Sequence, residues 1–400
     1  MSYFLIVYLF LVLFILIRRF VQCPTGSLSN PLFYIVGFGA LYFLLPASYL
    51  DFILIVAGLT VKESTIVECQ WFSIWYETVF LIFYLFSNDY RLRFNTTKAN
   101  EAVVNVCWWL NVIFCVFLLF VLIIYVPKIF ALRADRGAAF ELYEYSINSP
   151  FRFRQITYCH IAIMFVLVWA KRRLIYLLPC IAYLIIDYSH GGRTSSLIIL
   201  LFVYFCFILV KRKTYIKYAV ISIVFLTAVG LFQRSDSSKF SELAFTSGME
   251  FSNTYITTAY LVEHPEFKLD PLEYIVVSIM RLFPGGIIDK MTGFIWYGDL
   301  LSEKVGLGYG LAGNLITEAL VYGGKFFAII NPILIGTILF IINEMSLKKT
   351  LVGILSVLLL SFTMQITIRQ YFWGFILYPL QIILFYCIWA FPDFRKRIFV

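Results

Sequence analysis

Charge is what this sequence has little of: 14% of its 400 residues are Asp, Glu, Lys or Arg, against about 25% in a soluble domain. Hydrophobic residues make up 62%, so the surface itself must be largely apolar, which excludes an ordinary soluble fold. Histidine is scarcer still. His160, His190 and His264 are too scattered for a ligand cluster, and there is no HExxH, P-loop, GxSxG or DxD. Neither a metal nor a nucleotide cofactor is expected. Cys23, Cys69, Cys107, Cys115, Cys159, Cys180, Cys206 and Cys387 form no CxxC and fall mostly in apolar runs. That argues against a disulfide framework or a zinc site and makes them small buried hydrophobes. The net charge of +9 lies in short clusters at the ends of apolar runs, without a basic and aromatic strip long enough for a nucleic acid strand. Nucleic acid is not an expected partner.

What is present is a series of apolar runs near the ~20 residues needed to cross a bilayer. They predict an all-α polytopic membrane protein, one integral membrane domain over residues 1–400. The expected spans are 2–17, 31–50, 71–87, 104–126, 155–170, 174–188, 194–210, 215–232, 325–343, 350–368 and 374–391. That is about eleven, with ten to twelve allowed because Pro46 and Asp51 make 31–60 ambiguous. Arg18/Arg19, Arg91/Arg93/Lys98, Lys171/Arg172/Arg173, Lys211/Arg212/Lys213/Lys217, Lys348/Lys349 and Arg395/Lys396/Arg397 then share one side. The positive-inside rule makes that side cytoplasmic, with the N-terminus outside and the C-terminus inside. The opening run has no basic n-region and its charges follow it, so an uncleaved first helix is expected. Asp51–Gln70, Pro127–Arg154, Ser189–Arg193 and Arg369–Trp373 become outside loops.

One interruption organises the rest. Residues 233–324 carry SDSSKFSE, DPLEYIVVSIMRLFPGG and GLGYGLAGNLITEALVYGG between almost purely apolar segments. Irregular backbone is tolerated in a bilayer only where protein or water satisfies it, so this stretch is a large loop on the outer side. Within it, Asp270-Pro271-Leu272-Glu273 is a helix start. Leu272, Ile275, Val276, Ile279, Leu282 and Phe283 give the helix one apolar face until Pro284-Gly285-Gly286, as in an interfacial helix lying on the membrane. A second helix is expected over Ser247–Glu263, ending before Pro265. A third, Ala312–Tyr322, stops at Gly323-Gly324 and puts Asn314 and Glu318 on one face.

The candidate chemistry is cationic and carboxylic. Arg193 lies in DYSHGGRTSS, a turn between two spans. An arginine at a membrane face costs insertion energy, and its planar fork suits phosphate oxygens; pairing with Asp187 to close the turn is the alternative. Arg234, Arg281 and Arg369 border outside segments in the same way, where snorkelling explains each of them as readily. Together they would suit an anionic headgroup such as a pyrophosphate. Outside-loop Arg133, Arg136, Arg152 and Arg154 have Glu141 and Glu144 as possible partners. Glu318, in an apolar, glycine-rich stretch, is the first candidate base, followed by Glu250 and His190. For Glu318 the competing role is a helix-packing carboxylate; for Glu250 and His190 a structural role is favoured. Asn314 joins the substrate-binding set from its position beside Glu318. Gly306, Gly308, Gly310 and Gly313 suit either a lid or close helix packing.

HGGRTSS leading into a span, the long outside loop, GYGLAGNLITEALVYGG before another span, and NPLFYIVGFGALYFLLP near the N-terminus together resemble the Wzy-type oligosaccharide repeat-unit polymerases of bacterial O-antigen and capsule pathways. The resemblance implies a GT-C-like polytopic glycosyltransferase of the inner membrane. Such enzymes transfer an undecaprenyl-pyrophosphate-linked glycan onto a new lipid-linked repeat unit at the periplasmic face, without metal or nucleotide sugar. Arg193 matches the family's arginine after the small-residue turn, and Glu318 its acidic residue in the glycine-rich segment. A chain-length regulator and other export-pathway proteins are the partners it implies, beside the lipid bilayer. An O-antigen ligase, passing the chain to lipid A, shares this layout. A lipid-linked oligosaccharide flippase is the third reading; it would show two related halves, and no convincing internal repeat is visible.

Overall fold

The first apolar run forms α1 (Ser2–Gln22), which buries Leu5, Leu9, Val12 and Leu16 at helical spacing and leaves Phe4, Val7, Phe10, Phe14 and Ile17 exposed. An apolar face of that size belongs against lipid. The computed structural model describes residues 2–56, 59–89, 101–132, 153–189, 194–211, 254–280, 313–344 and 351–369. Among these, secondary structure is helical throughout, and five helices are long and apolar enough to cross a membrane: Ser2–Gln22, Pro31–Ser48, Glu63–Phe86, Glu101–Ile124 and Leu315–Glu344. Four shorter apolar helices accompany them. Among the described residues this is a helical membrane protein. It divides into two compact units, one of 1–90, 235–345 and 363–379, the other of 91–234, 346–362 and 380–400.

In the first unit, α1 is followed by α2 (Pro24–Leu28), α3 (Pro31–Gly39), a π-helical turn at Ala40–Leu44, α4 (Leu45–Ser48) and α5 (Leu50–Val56). Asn30 caps α3, its side chain accepting from the Leu32 amide at 3.0 Å, with Pro31 in the first turn. The span expected at 31–50 is thus not one regular helix. Pro46 lacks an amide hydrogen and the winding widens just ahead of it, as proline inside a helix requires. Helix α6 (Glu63–Phe86) lies along the later α13 (Leu315–Glu344). Trp75 donates to the Ile329 carbonyl at 2.9 Å, Lys325 pairs with Glu68 at 2.7 Å, and Asn88 donates to Glu344. Within the expected outside loop Asp51–Gln70, Leu50–Val56 and Glu63–Gln70 are helical rather than irregular. Tertiary partners such as Lys325 for Glu68, and the Ala47 carbonyl for Gln70, satisfy the polar residues that end an apolar run in sequence.

At the far end of α6, Asp89 gathers the unit. Arg19 pairs with it at 3.3 Å, and Ser27 and Asn30 donate to its carboxylate at 3.2 and 3.1 Å. Arg19 also donates to the Ser87 carbonyl at 2.7 Å and lies 4.4 Å from the Tyr84 ring centre. Four segments are pinned at one end of the first unit by this knot.

In the second unit, α7 (Glu101–Leu132) runs on past Pro127 and α8 (Phe153–Lys171) starts at 153. Both encroach on the loop expected at Pro127–Arg154. Val104, Cys107, Ile163, Val166 and Leu167 form the core between them. Arg172 ends α8 with φ 55°, the left-handed turn common after helices. The expected span 174–188 begins with a 3-10 turn at Leu174–Leu177 and continues as α9 (Pro179–Ser189), with α10 (Thr194–Lys211) after it. Buried His160 ties three of these helices, its Nδ1 2.9 Å from the Tyr183 hydroxyl and its Nε2 2.9 Å from the Asn111 side-chain oxygen. Cys69, Cys107, Cys180 and Cys206 are buried thiols; Cys23, Cys115 and Cys159 are half-buried.

Three helices carry the described part of the loop's functional segments. Helix α11 spans 254–263 and ends before Pro265, as expected; residues 247–253 lie outside the described set. Helix α12 (Pro271–Met280) starts where the sequence places it, the Leu272 amide donating to the Asp270 carboxylate at 2.8 Å. Its Leu272, Ile275 and Val276 are exposed. Helix α13 starts at Leu315 and is broken at Gly324, whose φ of 66° and ψ of −164° are not helical. Residues 325–344 rise about 30 Å at 1.5 Å per residue, a full hydrocarbon thickness. Leu315–Gly323 is therefore a separate arm, and with the Leu315 carbonyl 3.3 Å from Asn331 Nδ2 it folds back along the first turns of that segment. Only glycine adopts the Gly324 conformation readily, and a Cβ there would also stand 3.3 Å from the Lys268 side chain. Gly324→Ala is expected to cost about 1–3 kcal/mol, measurable as a lower unfolding temperature in detergent; an unchanged transition would contradict the break. The last described helix is α14 (Leu351–Arg369). Expected spans 215–232 and 374–391 lie outside the described residues.

Candidate functional site

The arm Leu315–Gly323 is held by its N-cap. Asn314 Oδ1 accepts from the Ile316 and Thr317 amides at 2.9 and 3.0 Å, while its Nδ2 donates to the Thr254 carbonyl and the Thr258 hydroxyl, both at 3.1 Å. Thr257 and Thr258 reach the Thr317 hydroxyl at 3.3 and 2.9 Å. These residues are fully buried. The cluster locks the start of α13 to α11 through a satisfied polar network, which rigidifies more than its single bonds suggest. Below it, Asn331 donates to the Tyr76 hydroxyl at 3.4 Å and the Leu315 carbonyl at 3.3 Å, fixing the arm to the span.

One turn along the arm is Glu318, 1% exposed. The Tyr274 hydroxyl of α12 donates to its Oε1. Tyr322, one turn further on, stacks on the Tyr274 ring with centres 4.1 Å apart and planes at 10°. Tyr274 is thus gripped at its hydroxyl and its face by two residues of the same arm. The Leu269 amide adds a bond to the Val321 carbonyl at 3.1 Å. Helix α12 rests on the arm with its tyrosine inward while Leu272, Ile275 and Val276 face outward. At the rim, Glu263 takes Thr65 at 3.2 Å and Lys62 at 3.7 Å, next to the Lys325–Glu68 pair.

Of the residues proposed from sequence, Glu318 and Asn314 are placed together on one helix end. Asn314 has both ends of its amide committed to the chain, so in this arrangement it organises the site rather than offering itself to a ligand. Arg193, Arg234, Arg281, Glu250 and His190 lie outside the described residues. Arg369 is the last residue of α14. Near Arg193, the carboxylate of Asp187 accepts from the Ser196 amide at 2.7 Å and its hydroxyl at 2.6 Å. The negative side chain thus caps the N-terminus of α10, where it is stabilising.

Tyr274 and the threonines were missed by sequence reasoning, although both leave a signal. Tyr274 lies opposite the exposed Leu272, Ile275 and Val276 of its helix. Thr254, Thr257 and Thr258 form an i, i+3, i+4 polar stripe in an apolar stretch. A buried carboxylate with a phenol donor can orient or deprotonate a hydroxyl once a substrate reaches it. No protein-family model, no curated protein and no solved structure matches this chain.

Proposed function

We propose that the protein is an oligosaccharide repeat-unit polymerase of the Wzy type. It is a GT-C-like enzyme of about eleven spans in the bacterial inner membrane, N-terminus outside and C-terminus inside, and it joins undecaprenyl-pyrophosphate-linked units into O-antigen or capsular polysaccharide. The observation that supports it most is the buried Glu318–Tyr274 pair. Its Glu318 sits on the glycine-broken arm that precedes a spanning helix, within GYGLAGNLITEALVYGG, one of the segments that carry the resemblance.

In the transfer, the bond between the donor sugar's anomeric carbon and its pyrophosphate oxygen breaks. The acceptor sugar's hydroxyl oxygen bonds to that carbon and gives its proton to Glu318. The lipid pyrophosphate leaves with the bonding pair. Arg193, with Arg234, Arg281 and Arg369, holds the pyrophosphate and stabilises the charge developing on it, which is preorganised electrostatic catalysis. Tyr274 fixes the carboxylate by its Oε1. Because Glu318 is closed to water, α12 must give way as the acceptor enters, and that closure guards the donor against hydrolysis.

The test is chemical. The purified protein should extend lipid-linked repeat units in EDTA and release lipid pyrophosphate. Activity that vanishes on chelation and returns with magnesium or manganese would defeat this mechanism.

A further inference from the structure

Glu77 has no part in the site above, and its position needs a reason. It lies in the interior of α6, more than two turns from either end, and is fully buried. Among the described residues neither of its oxygens has a hydrogen-bond partner. An uncompensated carboxylate in an apolar interior costs many kcal/mol, far more than a neutral acid. Buried polar side chains are nearly always bonded, and an exception calls for a functional account. Within a membrane, carboxyls of this kind mark ion and proton pathways.

The facing helix is built around it. The carboxyl lies on Gly39, where a Cβ would collide with Oε2. At the next residue α3 turns into the π-helical segment Ala40–Leu44, and Pro46 follows. A π turn is one residue wider than an α turn, and such turns gather at functional positions. Pro46 has already removed a helical donor there, so the segment can rewind without surrendering that hydrogen bond.

Among the described residues, charged groups on the elements around Glu77 have partners of their own. From α1, Tyr8 comes close enough to interact with it electrostatically and is itself bonded to the Thr78 hydroxyl at 2.9 Å. From the π turn, Tyr42 accepts from Gln365 at 3.3 Å. From α13, Lys325 pairs with Glu68, Glu318 binds Tyr274 and Glu344 takes Asn88; α4 has no titratable side chain. Arg19 is held by Asp89. A metal cation needs several oxygen ligands, which this site does not gather among the described residues, whereas a proton needs only the carboxyl.

We infer that Glu77 is a proton-exchanging site, taking up and releasing a proton as the π turn beneath it changes its winding. The ligand is the proton, and the inference stands independently of the polymerase reading.

Dicyclohexylcarbodiimide, an apolar reagent, adds to protonated carboxyls and leaves a stable N-acylurea. Membranes holding the intact protein are treated at a series of pH values, and the peptide containing Glu77 is quantified by mass spectrometry. The expected result is labelling of Glu77 near neutral pH that falls several-fold between about pH 6 and pH 9.5, the range in which buried glutamates can titrate. Glu77→Asp should retain a pH-dependent label and Glu77→Gln should have none at this position. Absence of label at every pH, or a level constant across the range, would overturn the inference, and because the wild-type protein gives the answer, a variant's failure to fold cannot obscure it.

Discussion

Glu318→Gln is expected to abolish polymer while leaving normal amounts of protein in the membrane. Glutamine is nearly isosteric, and its amide oxygen can still accept from Tyr274, so the contact between α12 and the arm survives. What is lost is the ability to take a proton. General base catalysis contributes about 100- to 10,000-fold, and a loss of that size removes long chains from the cell. Glu318→Ala does two things at once. It removes the base and leaves the buried Tyr274 hydroxyl without this acceptor, at about 1–3 kcal/mol of stability, so glutamine is the cleaner test. Tyr274→Phe separates positioning from chemistry. The ring remains stacked on Tyr322 but the carboxylate loses this donor, and about a ten-fold fall in rate follows if roughly 1.4 kcal/mol of orientation is lost in the transition state. Normal chain lengths from Glu318→Gln would return Glu318 to a packing role.

Arg193→Ala should also abolish polymer at unchanged protein level, and Arg193→Lys should be severely impaired. Lysine keeps the charge and loses the bidentate fork. A charge-assisted hydrogen bond to phosphate is worth about 1.5–3 kcal/mol, or roughly ten- to a hundred-fold in rate when felt in the transition state. The bonds that Asp187 accepts from the Ser196 amide and hydroxyl are made without Arg193, and they restrain the start of α10. Protein levels must be matched, since misinsertion would imitate catalytic loss. Long polymer from Arg193→Ala would leave the pyrophosphate without its main ligand.

Local chemistry was legible in the sequence. Asp270-Pro271 announced a helix start and Asp270 caps it; Gly323-Gly324 announced a stop and Gly324 breaks the helix. The i, i+4 spacing of Asn314 and Glu318 put both on one arm. Features that depend on partners distant in sequence were not legible. The carboxylates and amide of Glu63–Gln70 interrupt an apolar run in sequence, and nothing nearby in sequence reveals that Lys325 and the Ala47 carbonyl satisfy two of them. The π turn at Ala40–Leu44 was hidden for a different reason: its residues are apolar in either winding, and hydropathy cannot distinguish them. Tyr274 reads as one more aromatic in a chain that is 19% aromatic, until its partner Glu318 is in place.

The central claim is that this chain joins lipid-linked repeat units. The most direct measurement is the lipopolysaccharide pattern on a gel from a strain lacking this gene, or the equivalent capsule profile. Loss of the polymer ladder with a single repeat unit still attached is the predicted result. A full ladder, or loss of every repeat unit including the first, would contradict it.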